Sequence, residues 1–386
     1  MKFLGYKRLD GRVGVRNKIL ILPTSVCASD TARMVASQVK GVVTFNNQNG
    51  CSQVPSDEQL TMDVMVGMAA NPNVFGTVVI SLGCEGCQMS LVEKAIRERT
   101  NKPMETFIIQ ENGGTIKTIE LATRAARKMI QEASQVQKEE CSISELIIGT
   151  ECGGSDPTSG LAANVAMGEL SDRLVELGAT SILSETTEFI GAENILAERG
   201  RTPEIKERIL EIVYRYENAI KLVGENIRHG NPSPGNVAGG ITTLEEKSLG
   251  CIHKGGHSTI NAVYDYAKEV TEKGLVVMDT PGNDPSSVAA MVAGGAQIIV
   301  FSTGRGTPTG NPIAPVIKIT GNKITFKNMI DNIDCDTSPL IYGRKTLKEV
   351  GQELLDEVVE VANGKETKAE SLGFNEIAIA RVCNYL

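Results

Sequence analysis

The side chains able to do metal or nucleophilic chemistry are unevenly supplied: nine cysteines, three histidines and no tryptophan in 386 residues. An odd cysteine count behind a polar N-terminus, with no visible signal peptide, argues against a disulfide framework and for reduced thiols. Free thiols are mostly small buried hydrophobes; a minority serve as ligands or nucleophiles. Position separates the two kinds. Cys51, Cys84 and Cys152 each follow an apolar run and sit in glycine-rich stretches, NGCSQ, LGCEGC and ECGGSD, and Cys27 follows a further run. In a doubly wound sheet the loops beyond the strand C-termini line the ligand crevice. Cys141, Cys335 and Cys383 fall where packing cysteines are expected. Thiolates are soft ligands, so Cys51, Cys84 and Cys152 are expected to bind iron, with Cys27 as a further candidate. Three of them could hold a 4Fe–4S cluster with one iron open to a substrate hydroxyl. The alternatives are mononuclear Fe²⁺ or Mn²⁺ held partly by carboxylates, and small residues packed under tight turns. A thiol nucleophile is disfavoured, because only Cys251 has a histidine close by in sequence.

Polar residues gather in three more places. In ECGGSDPTSGLAAN, Pro157 suits a first helical turn and Ser155 or Asp156 its N-cap. The N–H groups of such a helix start, with Ser155, Asp156, Thr158 and Ser159, are candidates to bind a small carboxylate or polyol. The segment 239–257 sets Glu245, Glu246, Lys247, Lys254 and His257 among glycines. Removing a proton next to a carboxylate requires a positioned base and charge stabilisation, and Lys247, Lys254, His257 and Glu188 are the candidates. Arg305 and Thr307, in FSTGRGTPTGNP, read as an anion clamp. That motif lacks the Gly-Lys-Ser/Thr ending of a P-loop, and no strand-associated G-x-G-x-x-G supports a nicotinamide dehydrogenase.

These residues need a scaffold. Apolar runs at 18–24, 41–45, 77–82, 106–110, 145–150, 180–185, 274–280 and 297–303 read as strands buried on both faces. Amphipathic stretches between them predict an α/β fold of doubly wound, mostly parallel, Rossmann-like sheets. Two lobes are expected, 1–141 and 142–386, with the site at the strand C-terminal ends. A long helical region is predicted at about 189–228, a long Gly-rich functional loop at 231–260, and a last helix in TLKEVGQELLDEVVEVANG closed at Gly364.

Composition narrows the partners. A net charge of −8 without a Lys/Arg-rich run disfavours nucleic acid and anionic membrane, and no apolar stretch reaches membrane-spanning length. A cytoplasmic protein is the default expectation.

The motifs GYKRLDGRVGVRN, NGC, LGCE, ECGGSDPTSG, NVAGGITTLEEKSLGCIHKGG and FSTGRGTPTGNPIAPVIK together resemble the altronate/galactarate dehydratase family, across essentially the whole chain. The resemblance implies iron-dependent or similar metal-dependent dehydration of a sugar acid to a 2-keto-3-deoxy acid. It also implies a large subunit that works with a separate small subunit, which supplies the N-terminal domain that single-chain members carry; an oligomer is expected. Several such dehydratases have His-x-x-Gly-Cys before the second cysteine; here Asn47 stands at the histidine, which makes it a substrate-binding candidate. A sister branch, the sulfolactate sulfo-lyase large subunit, expels sulfite and lacks the Gly-Cys at the second and third strand ends. Cys51 and Cys84 therefore favour the dehydratase, with the sulfo-lyase and a non-catalytic binding subunit as alternatives.

Overall fold

A computed structural model describes residues 1–383. Four parallel strands form the first sheet, in the order Val42–Thr44, Lys18–Pro23, Val74–Ser81, Met104–Ile108. Seven parallel strands form the second: Ile260–Tyr264, Gly274–Met278, Thr180–Leu183, Ile147–Cys152, Ile298–Ser302, Val316–Thr320 and Cys335–Asp336. Helices between the strands make this an α/β fold with parallel sheets, as the alternation of apolar runs and amphipathic stretches requires. The central strands are buried along almost their whole length, which explains their near-continuous Val/Ile/Leu composition.

All eight expected strands are present. Strands outside the expected runs are also present: Ile260–Tyr264, Val316–Thr320 and Cys335–Asp336 in the second sheet, the short Val13–Gly14, and Lys2–Lys7 and Glu139–Ser142, which pair antiparallel with each other through contacts such as Phe3 opposite Cys141. Alternating burial marks Lys2–Lys7 as a strand with one wet face, and Glu139–Ser142 buries only Cys141, so neither carries a continuous apolar run.

Two local expectations are corrected. The 189–228 region is broken into a short helix, Glu193–Ala197, a long one, Pro203–Leu222, and a 3₁₀ turn, Ile227–His229. Pro203 opens the long helix and Thr202 caps it, accepting from Ile205 N. The 231–260 segment is largely helical, with Pro234–Gly239, Leu244–Ile252 and the 3₁₀ turn His253–Gly255. Its Ser and Thr residues are N-caps: Ser233 and Thr243 accept from Asn236 N and Glu246 N. Glycine content suggested a loop, whereas the caps divide the segment into short helices.

The sheets share a core. Val64, Met65 and Met68 of helix Pro55–Ala70 belong to the same buried cluster as Val288, Met291 and Val292 of helix Asp284–Ala293. The helices meet at Gly67, where a Cβ would lie 2.4 Å from the Ala293 carbonyl oxygen. Asn71 fastens the end of this joint by donating to the Val292 and Ala296 carbonyls at 2.8 and 2.9 Å. The opposite end of helix Asp284–Ala293 carries Asp284 to the pocket described next. Among the described residues no helix is long and apolar enough to cross a membrane.

Candidate active site

The C-terminal end of the Ile147–Cys152 strand brings Cys152 into a cavity of about 420 Å³, lined also by Gly153, Ser155, Glu188, Asn231, Lys247 and Asp284. Gly153 is required there: a Cβ would lie 2.2 Å from an Asp284 carboxylate oxygen. Glu188 comes from the turn after the neighbouring strand Thr180–Leu183. Lys247 and Cys251 come from helix Leu244–Ile252, and Lys254 from the turn that follows it.

Charge and hydrogen bonding knit these groups together. The Cys152 thiol donates to Glu188 Oε2 at 2.9 Å and lies 3.5 Å from Cys251 Sγ. Lys254 Nζ, fully buried, lies 3.2 Å from both Cys152 Sγ and Glu188 Oε2, and it also donates to Glu185. Lys247 Nζ holds Glu188 Oε1 at 2.9 Å and donates to Asn231 Oδ1 at 3.0 Å. Glu185 adopts a left-handed backbone, φ 71°, an unusual geometry for a residue with a side chain. That geometry lets its carboxylate accept the Cys152 N–H at 3.0 Å.

Burial would raise Glu188, but Lys247 and Lys254 outweigh it and hold the carboxylate ionised far below the usual range. Burial likewise would discharge Lys254, but Cys152, Glu185 and Glu188 keep it an ammonium. Burial and then repulsion from Glu188 raise Glu185, and burial and then Glu185 raise Glu151 well above an ordinary carboxyl. Burial, with Glu188 next, lifts Asp284 to about 6. The contact with Cys251, followed by burial, raises the Cys152 thiol.

The structure brings Cys152, Glu188, Lys247 and Lys254 together, and it places the other candidates elsewhere. Asn47 is buried under the first sheet's loops, donating from Nδ2 to the Pro23 carbonyl at 3.0 Å. Cys27 and Cys84 are exposed and Cys51 half-buried, all beyond strand ends of the four-stranded sheet. Ser155 lines the cavity, but Asp156 caps its own helix start, accepting from Thr158 N and Ser159 N at 2.9 and 3.2 Å. Those N–H groups are therefore taken by Asp156. His257 is exposed and gives its backbone N–H to Asp172. Arg305 is exposed beside Gly154, and Thr307 shares a hydroxyl hydrogen bond with Thr309 at 2.8 Å. Cys251, Glu151 and Asp284 were missed by the sequence reading. Cys251 lies within GCIHKGG and Glu151 within ECGGSD, but neither motif carries spatial information, and Asp284 lies in none.

Among the described residues, two groups bring three ligand atoms within 4.8 Å of one another: Cys152/Glu188/Cys251 and Glu151/Glu185/Asp284. Neither contains Cys51 or Cys84: Cys152 groups with Glu188 and Cys251, while Cys51 and Cys84 lie beyond strands of the four-stranded sheet. The first group is already neutralised by two lysines. In the second, Lys254 pairs with Glu185, and Glu151 Oε1 is buried without a hydrogen-bond partner.

Two family descriptions match the chain: D-galactarate dehydratase/altronate hydrolase, second domain, over residues 5–134, and D-galactarate/altronate dehydratase, C-terminal, over residues 143–384. The chain belongs to the galactarate/altronate dehydratase family and is an enzyme of the lyase class. It is similar to the (2R)-sulfolactate sulfo-lyase subunit beta of Chromohalobacter salexigens, 38% identical over 98% of this chain and 97% of that one. It is also 35% identical to the altronate dehydratase of Escherichia coli, covering 97% of this chain and 76% of that protein. The galactarate dehydratase (L-threo-forming) of the same organism is 34% identical over 98% of this chain and 76% of its own length.

Proposed function

We propose that the enzyme takes a proton from C2 of a 2-hydroxy acid and expels a group from C3, so that an enol forms and becomes a 2-keto-3-deoxy acid. Dehydration of a sugar acid of the altronate or galactarate type is the leading reading. Elimination of sulfite from sulfolactate differs only in the group that leaves, and the full-length match to a sulfo-lyase subunit favours it as a second reading. That relative's name also supports a role as one subunit of an enzyme with a further chain.

The observation that carries the proposal is that one cavity is lined by both a cation, Lys247, and a carboxyl, Asp284, that burial lifts towards neutrality. As the C2 proton leaves, charge builds on the substrate carboxylate, and Lys247 Nζ stabilises it. Asp284, titrating at about 6, is suited to accept the proton and to return it to a departing hydroxyl. Hydroxide is a poor leaving group and needs that proton, while sulfite does not, so Asp284 favours dehydration. Ser155, Asn231 and Asn236 offer the cavity hydrogen-bonding groups for a polyol. Lys254 is a positioning residue: it lies behind Cys152 and fixes Glu185 and Glu188.

The family resemblance implies iron or a similar metal. Cys152 stands beside carboxylates of the seven-stranded sheet, and Cys51 and Cys84 beyond strands of the other sheet. Glu151, Glu185 and Asp284 would hold a mononuclear Fe²⁺ or Mn²⁺, three carboxyls within ligand range of one another with Oε1 of Glu151 buried and without a hydrogen-bond partner. When bound, such an ion supplies Lewis-acid polarisation of the substrate's oxygens.

The test is keto-acid formation from altronate, galactarate and sulfolactate, with and without chelator and added Fe²⁺ or Mn²⁺. Turnover of a sugar acid supports dehydration, and turnover of sulfolactate alone selects the second reading. No turnover on any of the three, with metal and the co-purifying subunit supplied, overturns both. If Asp284 carries the proton, kcat/KM rises as pH passes about 6. If it binds metal, that limb is absent and Asp284→Asn lowers metal affinity in direct titration.

A further inference from the structure

The reaction needs no disulfide, yet Cys152, which lines the cavity, has its sulfur 3.5 Å from that of Cys251 behind it, both thiols free, buried and on different elements. We propose that Cys152 and Cys251 are a reversible thiol–disulfide pair that closes the site under oxidising conditions. The inference rests on the reading of this cavity as the active site.

A disulfide needs the sulfurs at about 2.05 Å, so the pair must close by about 1.5 Å, shared between two side chains. The surroundings suit the chemistry. Glu188 Oε2, 2.9 Å from Cys152 Sγ, orients the thiol by accepting its hydrogen bond, and Lys254 Nζ lies 3.2 Å from the same sulfur. With hydrogen peroxide as oxidant, the Cys152 sulfur attacks one peroxide oxygen, the O–O bond breaks, and the departing hydroxide takes the thiol proton and leaves as water. The sulfenic acid formed is then attacked by Cys251 sulfur; the S–O bond breaks, the S–S bond forms and a second water leaves with the Cys251 proton. Two thiols and one peroxide give one disulfide and two waters.

The consequence follows from where the two cysteines sit. Cys152 ends a central strand, while Cys251 lies on the helix that carries Lys247. A bond between them turns the Cys152 sulfur away from Glu188, removes the thiol donor to that carboxylate and fixes the helix against the strand end. Other free thiols, Cys27, Cys84 and Cys383, are exposed and would react first, so the test must silence them.

The experiment treats the Cys27→Ser/Cys84→Ser/Cys383→Ser protein, in its active preparation, with hydrogen peroxide. Digestion and mass spectrometry are then run beside turnover, before and after a phosphine reductant. The expected result is a linked Cys152–Cys251 peptide pair lighter by two hydrogens, turnover falling in proportion to the linked fraction, and both restored by reduction. Sulfinic acid on Cys152 with Cys251 unreacted, or turnover lost with both thiols still reduced, overturns the pair and leaves the proposed function standing. A fully linked protein that turns over normally overturns closure and, with it, the placement of the chemistry in this cavity.

Discussion

Two sets of cysteines share one sequence signature and end in different surroundings. Cys27, Cys51 and Cys84 follow strands of the four-stranded sheet and are exposed or half-buried; Cys84 receives a 3.5 Å contact from the Gln110 amide. Cys152 follows a strand of the seven-stranded sheet, is buried, and meets Glu188, Lys254 and Cys251. The loop after Val74–Ser81 is organised by Glu85, which accepts from Thr24 Oγ1, Leu82 N and Gly83 N and so serves the backbone. The loop after Ile147–Cys152 is organised around groups that arrive from roughly residues 185, 188, 251, 254 and 284. A strand-end thiol is thus a consequence of topology, and what the rest of the chain folds against it decides whether charge accumulates there.

The largest effect is expected where that charge is used. Asp284→Asn should lower kcat/KM by roughly 10²–10⁴-fold with little change in thermal stability, read by steady-state assay beside melting. Lys254→Met should break the site differently, by leaving Glu185 and Glu188 buried without their shared cation. A loss of about 3–5 kcal/mol in denaturant unfolding is expected, and a stability unchanged within error would mean the ammonium does not neutralise the pair. Away from the site, Gly67→Val should cost about 1–3 kcal/mol by forcing apart the helices that carry the shared core, with circular dichroism melts as the readout.

The smallest effect concerns pH. Arg16 binds Glu370 through Nε and Nη2, both at 2.8 Å, and although burial raises the Glu370 carboxyl, Arg16 outweighs it and holds it below its ordinary value. A folded carboxyl held low contributes stability that is present above its unfolded value of about 4.3 and is lost as pH falls through the folded value. Glu370→Gln should therefore lower stability by about 1–2 kcal/mol at pH 7, and its curve should converge on the parent's under strongly acid conditions. A constant gap across pH would contradict the pairing.

Much of the scaffold was legible because strands buried on both faces write themselves as apolar runs, as KILILP and IIVFS do. The half-wet strand Lys2–Lys7 and the short helices inside 231–260 were not, since their signals are a two-residue period and isolated N-caps. Within the site, Cys152, Glu188, Lys247 and Lys254 could be nominated from chemistry and local motif. Cys251 and Asp284 could not, because their relevance exists only once helix Leu244–Ile252 and helix Asp284–Ala293 are packed against the end of a strand far away in sequence. Asp156, Thr158 and Ser159 show the converse: residues that look ready for an anion are consumed by their own helix cap.

One measurement bears most directly on where the reaction takes place: kcat/KM of Lys247→Met beside that of Cys51→Ser/Cys84→Ser, on the hydroxy acid the parent turns over. The account predicts a loss of at least about 100-fold for the lysine variant and a value within about threefold of the parent for the cysteine pair. A collapse of the cysteine variant with the lysine variant largely active would contradict it and move the chemistry to the four-stranded sheet.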